Sequence, residues 1–476
     1  MRQAGVLMAV AALPGPDGIG DFGQVGYEWV DKLAAAGVGI WQILPLNALG
    51  YGSSPYQPFS SYALDEIYIS LDQLKKQGLL AGRRKRRPPF SRLLDYDAVR
   101  AYKAIYLHQA FSRFVPGADY ARFISQPWVR PYAIYIGLKR LNGGKPWTDW
   151  SLTAPDALTQ REIGYAMFLQ YQLYSQWQQL KAYANQHGIS IMGDVPFYVG
   201  HDSADVYYNR QDFVLDEDGH PIFIAGVPPD YFTPYGQRWG NPIYDWEQLG
   251  REGYRFWLDR LGHAGRLYDI VRIDHFRAFD SYWRIPCACP TAVVGQWLDA
   301  PGRQVLDALF KAYPRIRIVA EDLGQLRPQV LELRDRYKLM GMLVAQFCFD
   351  PAAPARPQDC RPGVIFYTGT HDNDPLAGWC RTLPAAARRQ MRTYMRKTFG
   401  CGMIEGMMRY VLSSGADWAI VPTADLLGLG HKARINTPGT VGSPNWQWHL
   451  KDWSGLDEAL AGYAGMLRQY GRYRQH

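Results

Sequence analysis

The chain has 476 residues, of which 47% are hydrophobic and 20% charged, a composition typical of a globular protein with a large core. The formal net charge is +8, and five of these positive charges belong to one short run, Arg83 to Arg87, that is followed by two prolines. Such a run indicates a solvated loop. Without a basic face interleaved with aromatic residues, or a recognisable binding module, it does not indicate a nucleic-acid partner.

The cysteines and the amino terminus predict a cytoplasmic protein. The six cysteines include no C-x-x-C pair and no histidine at zinc-finger spacing, so we expect reduced thiols. Cys287 and Cys289 flank one alanine, but a metal site would need two further ligands. The apolar stretch from Gly5 to Leu13 follows one basic residue and runs into Pro-Gly-Pro, unlike a signal peptide. No apolar run is long enough to cross a bilayer, which argues against a membrane partner.

Eight short apolar segments run through the chain without polar alternation, as is typical of strands covered on both faces. Helical stretches lie between them, including Tyr27–Ala36, Tyr254–His263, Pro328–Tyr337 and Leu456–Tyr473. Alternating strands and helices predict an α/β fold, a parallel (β/α)8 TIM barrel. The eight predicted strands are Gly5–Ala11, Ile40–Leu46, Ile189–Gly193, Ile270–Ile273, Ile316–Ala320, Met342–Phe349, Val364–Tyr367 and Trp418–Val421.

Two intervals are too long for plain crossovers between strands. Residues 51–187 have apolar residues at helical spacing, which predicts a largely helical subdomain inserted after the second strand. Residues 198–246 predict a hairpin turning at Asp218-Gly219 and then a glycine- and aromatic-rich segment that can fold over a pocket as a lid. We therefore expect residues 1–50 to start the barrel and residues 188–476 to complete it, with the 198–246 insertion after the third strand.

Three acids follow apolar segments that predict strands: Asp274, Glu321 and Asp372. A parallel barrel gathers the carboxyl ends of its strands around one pocket. Two carboxylates about 5–5.5 Å apart can split a glycosidic bond with retention of configuration. One such acid alone can equally cap a helix or pair with an arginine. Three acids on converging strands favour a shared catalytic site.

The predicted roles follow from strand position. Asp274 attacks the anomeric carbon, while Glu321 protonates the leaving oxygen and later deprotonates the acceptor. Arg272 lies two residues before Asp274, points to the same side of the strand, and keeps that carboxyl ionised. Asp372 steadies the charge at the anomeric centre, and His371 donates to a sugar hydroxyl.

Asp194 follows the third predicted strand and has two possible roles, sugar contact or a structural pairing with Arg272. A rival motif is the G-x-G-x-x-G match at residues 18–23, which would suggest a dinucleotide site. The second strand ends without an acid for a ribose, and Pro14-Gly15-Pro16 interrupts the expected tight turn. We therefore interpret these glycines as part of a loop on the barrel rim.

With these residues in view, the sequence resembles glycoside hydrolase family 77, the 4-α-glucanotransferases or amylomaltases, essentially from end to end. The resemblance implies retaining transfer on α-1,4-glucans, with a glucan or glucose as acceptor and no metal or organic cofactor; it leaves protein partners unknown. It is carried by the motifs Leu13 to Gly20, Trp41 to Pro45, Gly50 to Gln57, Gly193 to Pro196, Gly236 to Pro242, Arg272 to Arg277, Ala320 to Gly324, Thr370 to Asn373 and Asn436 to Thr440.

The resemblance also assigns site residues. It implies that Asp274, Glu321 and Asp372 are nucleophile, acid/base and transition-state stabiliser. It adds as sugar contacts Arg272, His371, Asp194, Tyr51, Ser53, Trp239 and Phe347. The chain departs from the family at Ala424, where a glutamine is usual, and at Ala278, where a glycine is usual.

Transfer is implied by the resemblance alone, because the carboxylates themselves fit hydrolysis equally well. An α-amylase-like hydrolase on the same barrel would accumulate reducing ends. A glucan-binding protein without catalysis would tolerate Asp274→Asn. A nicotinamide-dependent oxidoreductase would bind NADH.

Overall fold

The computed structural model of the chain describes residues 2–82, 91–229, 233–324 and 326–475. The side chains of Tyr51 and Ala157 are not among those described. The basic run from Arg83 to Arg87, predicted as a solvated loop, and residues 230–232 of the predicted lid also lie outside the described residues.

Twelve strands occur in the described part of the chain, and eight of them form one parallel sheet in the order β10-β11-β12-β1-β2-β3-β6-β9. The backbone N–H of Ala320 donates to the carbonyl of Met340 at 2.9 Å, which joins β9 to the segment leading into β10 and closes the ring. The fold is therefore the predicted (β/α)8 barrel. The strands are β1 Gln3–Leu7, β2 Ile40–Gln42, β3 Ser190–Val195, β4 Phe223–Val227, β5 Gln237–Pro242, β6 Ile270–Ile273, β7 Ser281–Pro286, β8 Gln296–Asp299, β9 Ile318–Ala320, β10 Gly341–Val344, β11 Val364–Tyr367 and β12 Trp418–Pro422.

Helices surround the barrel, and five of them lie between β2 and β3. The longest, α6, begins with a capping box in which Thr159 and Glu162 each bind the other's backbone N–H. The α-helices of the described residues are α1 Gln24–Ala35, α2 Leu71–Lys76, α3 Tyr96–Arg113, α4 Ala118–Ile124, α5 Val129–Leu141, α6 Gln160–Gln186, α7 Ala204–Tyr208, α8 Trp246–Arg251, α9 Arg255–Leu267, α10 Gly302–Ala312, α11 Pro328–Arg336, α12 Ala345–Cys348, α13 Leu376–Thr382, α14 Ala385–Phe399, α15 Met403–Ser413, α16 Thr423–Leu426 and α17 Leu456–Gln469. None of these helices combines the length and the hydropathy that a bilayer span requires.

The barrel strands are buried on both faces, which explains their continuous apolar sequences. Close packing makes one glycine necessary beside a candidate acid. A Cβ atom at Gly193 would lie 2.2 Å from the ring of Tyr268, so only glycine lets this ring pack against β3. The Gly-Asp sequence at 193–194 therefore reflects packing on one side of the strand and polar contacts on the other.

Several predicted strands have different limits in the structure: the second ends at Gln42, the third spans Ser190–Val195 and the fifth begins at Ile318. The first and the sixth were each predicted to run into a different kind of element. The first begins at Gln3 and ends at Leu7, and residues Val10–Ala12 form a 3-10 turn instead. The sixth ends at Val344, where the short helix α12 begins. Both errors have one cause: an apolar run does not distinguish a buried strand from a buried turn or helix.

A second sheet was not predicted from the sequence. Strands β4, β5, β7 and β8 form an antiparallel sheet in the order β5-β4-β7-β8. It combines the insertion after β3 with the segment after β6, so its pairing depends on contacts between distant parts of the chain. The predicted turn at Asp218-Gly219 is present, with Gly219 at a φ of 86°, but its flanks form only an isolated bridge between Leu215 and Pro221.

Candidate active site

Asp274 and Glu321 lie at the carboxyl ends of the adjacent strands β6 and β9. The N–H of Asp274 donates to the carbonyl of Val195 on β3 at 3.0 Å, and the N–H of Glu321 donates to the carbonyl of Ile273 at 3.0 Å. Backbone pairing therefore fixes where both residues leave the barrel. This is the position that active-site residues take in parallel barrels.

Two backbone N–H groups hold the Glu321 carboxyl. His275 N–H donates to Oε2 at 2.8 Å, and Leu323 N–H donates to Oε1 at 3.0 Å. His275 reaches this position in the left-handed conformation, with a φ of 51°. Burial raises the pKa of Glu321 to about 7, and the negative charge of Asp274 acts in the same direction.

Asp274 has a cationic partner. Nη2 of Arg272 lies 3.0 Å from Oδ1 of Asp274, whose side chain remains 30% exposed toward the open end of the barrel. Burial raises the pKa of Asp274; the Arg272 guanidinium opposes the increase, while Asp194 and Asp372 add to it. Burial thus raises the pKa of both acids to about 7, and they differ in their contacts: Arg272 contacts Asp274, whereas two backbone N–H groups hold Glu321.

Asp194 is fully engaged inside the barrel. It lies within β3, and its side chain is inaccessible to solvent. Nη1 of Arg272 contacts both of its carboxylate oxygens, at 2.7 and 2.6 Å, and the Tyr56 hydroxyl donates to Oδ2 at 2.7 Å. These contacts favour the structural reading of Asp194 over direct sugar contact.

Tyr56 is a site residue that the sequence interpretation did not select. Its hydroxyl joins Asp194 to His371, lying 3.0 Å from Nε2 of the histidine. Its ring also stacks on the His371 ring, with centroids 5.3 Å apart and an interplanar angle of 19°. The only signal was its place in the motif Gly50 to Gln57, because a tyrosine in a loop carries no chemistry until its neighbours are known.

His371 and Asp372 lie in the loop after β11, four and five residues beyond the end of the strand. The sequence analysis had placed them directly at the strand end. Nδ2 of Asn436 donates to Oδ1 of Asp372 at 2.6 Å, and Arg434 donates to the Asp372 carbonyl at 2.7 Å. The Asp372 side chain is 43% exposed, and its other oxygen, Oδ2, lies 3.5 Å from Nε2 of His371.

Trp239 connects the antiparallel sheet to this cluster. It lies on β5, and its ring meets the ring of His275 edge-on, with centroids 4.8 Å apart and an interplanar angle of 89°. Nε2 of Gln57 donates to the Trp239 carbonyl at 2.8 Å and to Oδ1 of Asn241 at 2.7 Å. The antiparallel sheet therefore lies beside the carboxylate pair, and Gln57, in the loop after β2, is hydrogen-bonded to the sheet.

The three remaining predicted sugar contacts, Ser53, Phe347 and Tyr51, lie in loops or short helices that follow barrel strands. Ser53 is half-buried in the loop after β2, with a φ of 55°, and Phe347 is 57% exposed on α12 after β10. Loops that follow barrel strands lie at the same end as the candidate acids. The side chain of Tyr51 lies outside the described residues.

The glycine-rich segment at residues 18–23 is packed against the core. A Cβ atom at Gly20 would lie 1.9 Å from the carbonyl of Val10. Asp21 is buried three residues before α1, accepts from the Gly23 N–H at 2.8 Å, and its Oδ2 lies 3.6 Å from Nζ of Lys103. A buried carboxylate at this position would repel a pyrophosphate, which argues against a dinucleotide site.

The cysteines are free thiols, and Cys287 is exposed. Across the described ranges, no three His, Cys, Asp or Glu side chains are grouped so that they could hold a metal ion.

Comparison with known proteins gives a consistent result. The model of the 4-alpha-glucanotransferase family, glycoside hydrolase family 77, matches residues 8–455. A 4-alpha-glucanotransferase of Synechocystis sp. is 40% identical, with 100% of this chain and 99% of the relative covered. One of Thermus thermophilus is 40% identical, with 94% and 95% covered. The structure of an amylomaltase from Streptococcus agalactiae in complex with acarbose aligns over all of both chains with a TM-score of 0.92 and 32% identity.

A family match of this extent, two relatives at this identity and a shared barrel agree with the position of the carboxylates. The chain therefore belongs to glycoside hydrolase family 77, the family of the 4-alpha-glucanotransferases, which are glycosyl-transferring enzymes.

Proposed function

We propose that this protein is a 4-α-glucanotransferase that moves a segment of an α-1,4-glucan to the 4-hydroxyl of another glucan or of glucose by retaining double displacement. The observation that carries the proposal is the pairing of Asp274 and Glu321 on adjacent strands in unequal environments. Burial raises the pKa of both acids to about 7, but a guanidinium lies 3.0 Å from Asp274, whereas Glu321 accepts from two backbone N–H groups. One acid is suited to attack as an anion and the other to donate a proton.

In the first step, a carboxylate oxygen of Asp274 forms a bond to the anomeric carbon. The bond from that carbon to the glycosidic oxygen breaks, and its electron pair goes to the leaving oxygen, which takes the proton of Glu321. The leaving glucan departs with a free 4-hydroxyl. The products of this step are a glycosyl ester on Asp274 and an ionised Glu321.

In the second step, Glu321 takes the proton of an acceptor 4-hydroxyl, and the acceptor oxygen attacks the anomeric carbon. The ester bond to Asp274 breaks and its electron pair returns to the carboxylate. The new linkage has the original configuration because two inversions have occurred at the same carbon. Both acids end in their starting protonation states.

The surrounding residues hold the two acids and the sugar in place. Asp372, held at Oδ1 by Asn436, presents its partly exposed carboxylate to the charge that develops at the anomeric centre. His371 contacts Tyr56 at one ring nitrogen and binds a sugar hydroxyl. Arg272 favours the ionised form of Asp274 against the effect of burial, and Asp194 fixes the position of Arg272. We assign Ser53, Tyr51 and Phe347 to more distant sugar contacts.

Transfer prevails over hydrolysis when water is kept from the glycosyl ester. We assign this role to residues 198–246 acting as a lid, with Trp239 beside the ester through its contact with His275. In the same proposal, residues 1–50 and 188–476 form the barrel, and residues 51–187 form a helical subdomain inserted into it. Gln57 of this subdomain donates hydrogen bonds to Trp239 and Asn241 of the lid.

Incubation with maltotriose tests the function. A ladder of shorter and longer maltodextrins, with a constant number of reducing ends, is the expected product pattern. Steady growth in reducing ends would favour the amylase-like hydrolase. Saturable maltodextrin binding without turnover, unchanged in Asp274→Asn, would favour a binding protein without catalysis.

A trapping experiment tests the intermediate. Glu321→Gln with a maltosyl fluoride donor, whose leaving group needs no proton, should accumulate the ester on Asp274 because deacylation has lost its base. Mass spectrometry of the peptide that contains Asp274 should show an added maltosyl group, absent from Asp274→Asn. A sugar adduct on another carboxylate would overturn the assignment.

We also propose a cytoplasmic location, which the free thiols support because such cysteines persist in reducing compartments. Plant relatives named chloroplastic/amyloplastic are 35% identical to this chain, so the location is to be tested by fractionation of the source cells.

A further inference from the structure

A second pocket lies at the opposite end of the barrel from the candidate acids. Its volume is about 470 Å³, within the range of pockets that hold small ligands. Ser190, the first residue of β3, lines it, and so does Asp269, which directly precedes β6. Ser190 is four residues before Asp194, about 13 Å along the strand at the usual rise. The pocket therefore lies at the end of β3 that is remote from Asp194.

The pocket has an excess of positive charge. The lining residues that are charged at neutral pH are three cations, Lys181, Arg317 and Arg474, and one carboxylate, Asp269. This carboxylate is already engaged. Its Oδ1 lies 3.4 Å from Nζ of Lys181, and its Oδ2 accepts from Nδ2 of Asn185 and from the N–H of Ile191, both at 2.8 Å.

The two arginines have no acidic partner. Within the described ranges, neither Arg317 nor Arg474 takes part in an ion pair, although Arg317 lies 5.4 Å from the ring centroid of Trp418. The backbone N–H of Arg474 binds the carbonyl of Gly37 at 2.9 Å, which anchors the residue beside the pocket. A Cβ atom at Gly39 would lie 3.3 Å from Cδ of Arg474, so the glycine leaves room for the side chain. Both guanidinium groups therefore line the pocket without a carboxylate counter-ion from the part of the chain that the structure describes.

We propose that this pocket binds the phosphate group of a phosphorylated monosaccharide. Guanidinium groups match the oxygens of a phosphate monoester, which carries up to two negative charges, better than they match a single carboxylate. The hydroxyl of Ser190 and the Oδ1 atom of Asn185 face sugar hydroxyls in this assignment, since Nδ2 of Asn185 is already bound by Ile189 and Asp269. The site is separate from the glucan cleft and does not rest on the proposed function.

Calorimetric titration with glucose 6-phosphate at low ionic strength tests the proposal, with glucose and inorganic phosphate as the other two titrants. We expect saturable binding of glucose 6-phosphate, weaker binding of inorganic phosphate and no binding of glucose. Arg317→Ala and Arg474→Ala should each weaken the binding by about tenfold or more, the usual range for a lost charge-assisted hydrogen bond. Arg474→Lys should lose part of the affinity, because it keeps the charge but not the fork of donors.

Arg315→Ala is the matched control. Arg315 is exposed, lies two residues from Arg317 and does not line the pocket, so the substitution removes the same charge at nearly the same place. Unchanged binding in this variant supports a specific site. An equal loss in Arg315→Ala, no saturable binding of glucose 6-phosphate, or equal affinity for inorganic phosphate would each overturn the proposal. Maltotriose disproportionation by the same variants is expected to persist, which separates this result from the test of the glucan cleft.

Discussion

Nη1 of Arg272 contacts both carboxylate oxygens of Asp194, and Nη2 of the same guanidinium lies 3.0 Å from Asp274. The two acids differ in exposure: the Asp194 side chain is inaccessible to solvent and that of Asp274 is 30% exposed. One arginine therefore joins a buried acid to an accessible one. The buried pair sets the position of the guanidinium, and the guanidinium opposes the rise that burial causes in the pKa of Asp274.

Asp194→Asn should reduce both stability and turnover. Loss of the charge leaves Arg272 buried with one carboxylate fewer, and breaking a buried ion pair costs about 3–5 kcal/mol. Denaturant unfolding and the rate of maltotriose disproportionation measure the two effects. Asp259→Asn removes an acid from the exposed pair with Arg255 and should change the unfolding free energy by less than about 1 kcal/mol. Equal effects of the two substitutions would contradict the role given to Asp194.

The pH dependence of the reaction should be bell-shaped. Glu321 must be protonated for the first step, so the rate on maltotriose should fall as pH rises through its pKa of about 7. Asp274 must be ionised, so the rate should also fall in acid. Because the two acids interact, the limbs report pKa values of the pair.

The alkaline limb provides the control for this assignment. In Glu321→Gln with maltosyl fluoride, the leaving group needs no proton, so formation of the glycosyl ester should not slow as pH rises above about 7. Stopped-flow release of fluoride measures this step. Persistence of the alkaline limb in the variant would assign it to another group.

Trp239→Ala should raise the release of glucose relative to chain transfer. The substitution removes the ring that meets His275 edge-on and opens a path for water toward Asp274. Product analysis over time gives the ratio of hydrolysis to transfer. Trp297→Ala is the comparison, since Trp297 lies on β8, the opposite edge strand of the same sheet, and is already 37% exposed. An unchanged ratio in Trp239→Ala would remove this residue from the proposed lid.

Arg472→Leu should destabilise the barrel where its first and last strands begin. The buried guanidinium of Arg472 donates to the carbonyls of Leu412, Ser414 and Ala416 at 2.7, 3.0 and 2.8 Å, and to those of Gln3 and Asp417. Several buried carbonyls would lose their donor, at a cost of about 3 kcal/mol or more.

Denaturant unfolding checks this expectation against a second arginine. Arg396→Leu, on the exposed face of α14, should shift the unfolding free energy by less than about 0.5 kcal/mol. Similar shifts in both variants would show that the Arg472 contacts contribute little.

The barrel was predictable because each of its strands carries a local signal. Segments such as Val364–Tyr367 are apolar throughout, and their limits agree with the structure. The antiparallel sheet carried no such signal. Its strand β4 pairs with β7, more than fifty residues later, so neither segment identifies its partner.

The site residues also divide into those that a local sequence pattern identifies and those that only distant contacts reveal. Asp274 and Glu321 were recognisable because a polar residue that ends an apolar strand marks the active end of a barrel. Tyr56 was not, because its role depends on a hydroxyl that meets Asp194 and His371 from a loop. Asn436, which holds Asp372, was likewise visible only as part of a motif.

The sequence by itself determined the alternation of strands and helices, the family, and the acids that follow the strands. These features were predictable because runs of apolar residues indicate buried strands and the order of the elements is the order of the chain. Only the tertiary structure decided which groups surround those acids. Charge, hydrogen bonding and solvent access act over a few ångströms in space, and residues such as Tyr56, Asp194 and His371 come within that range only when the barrel closes.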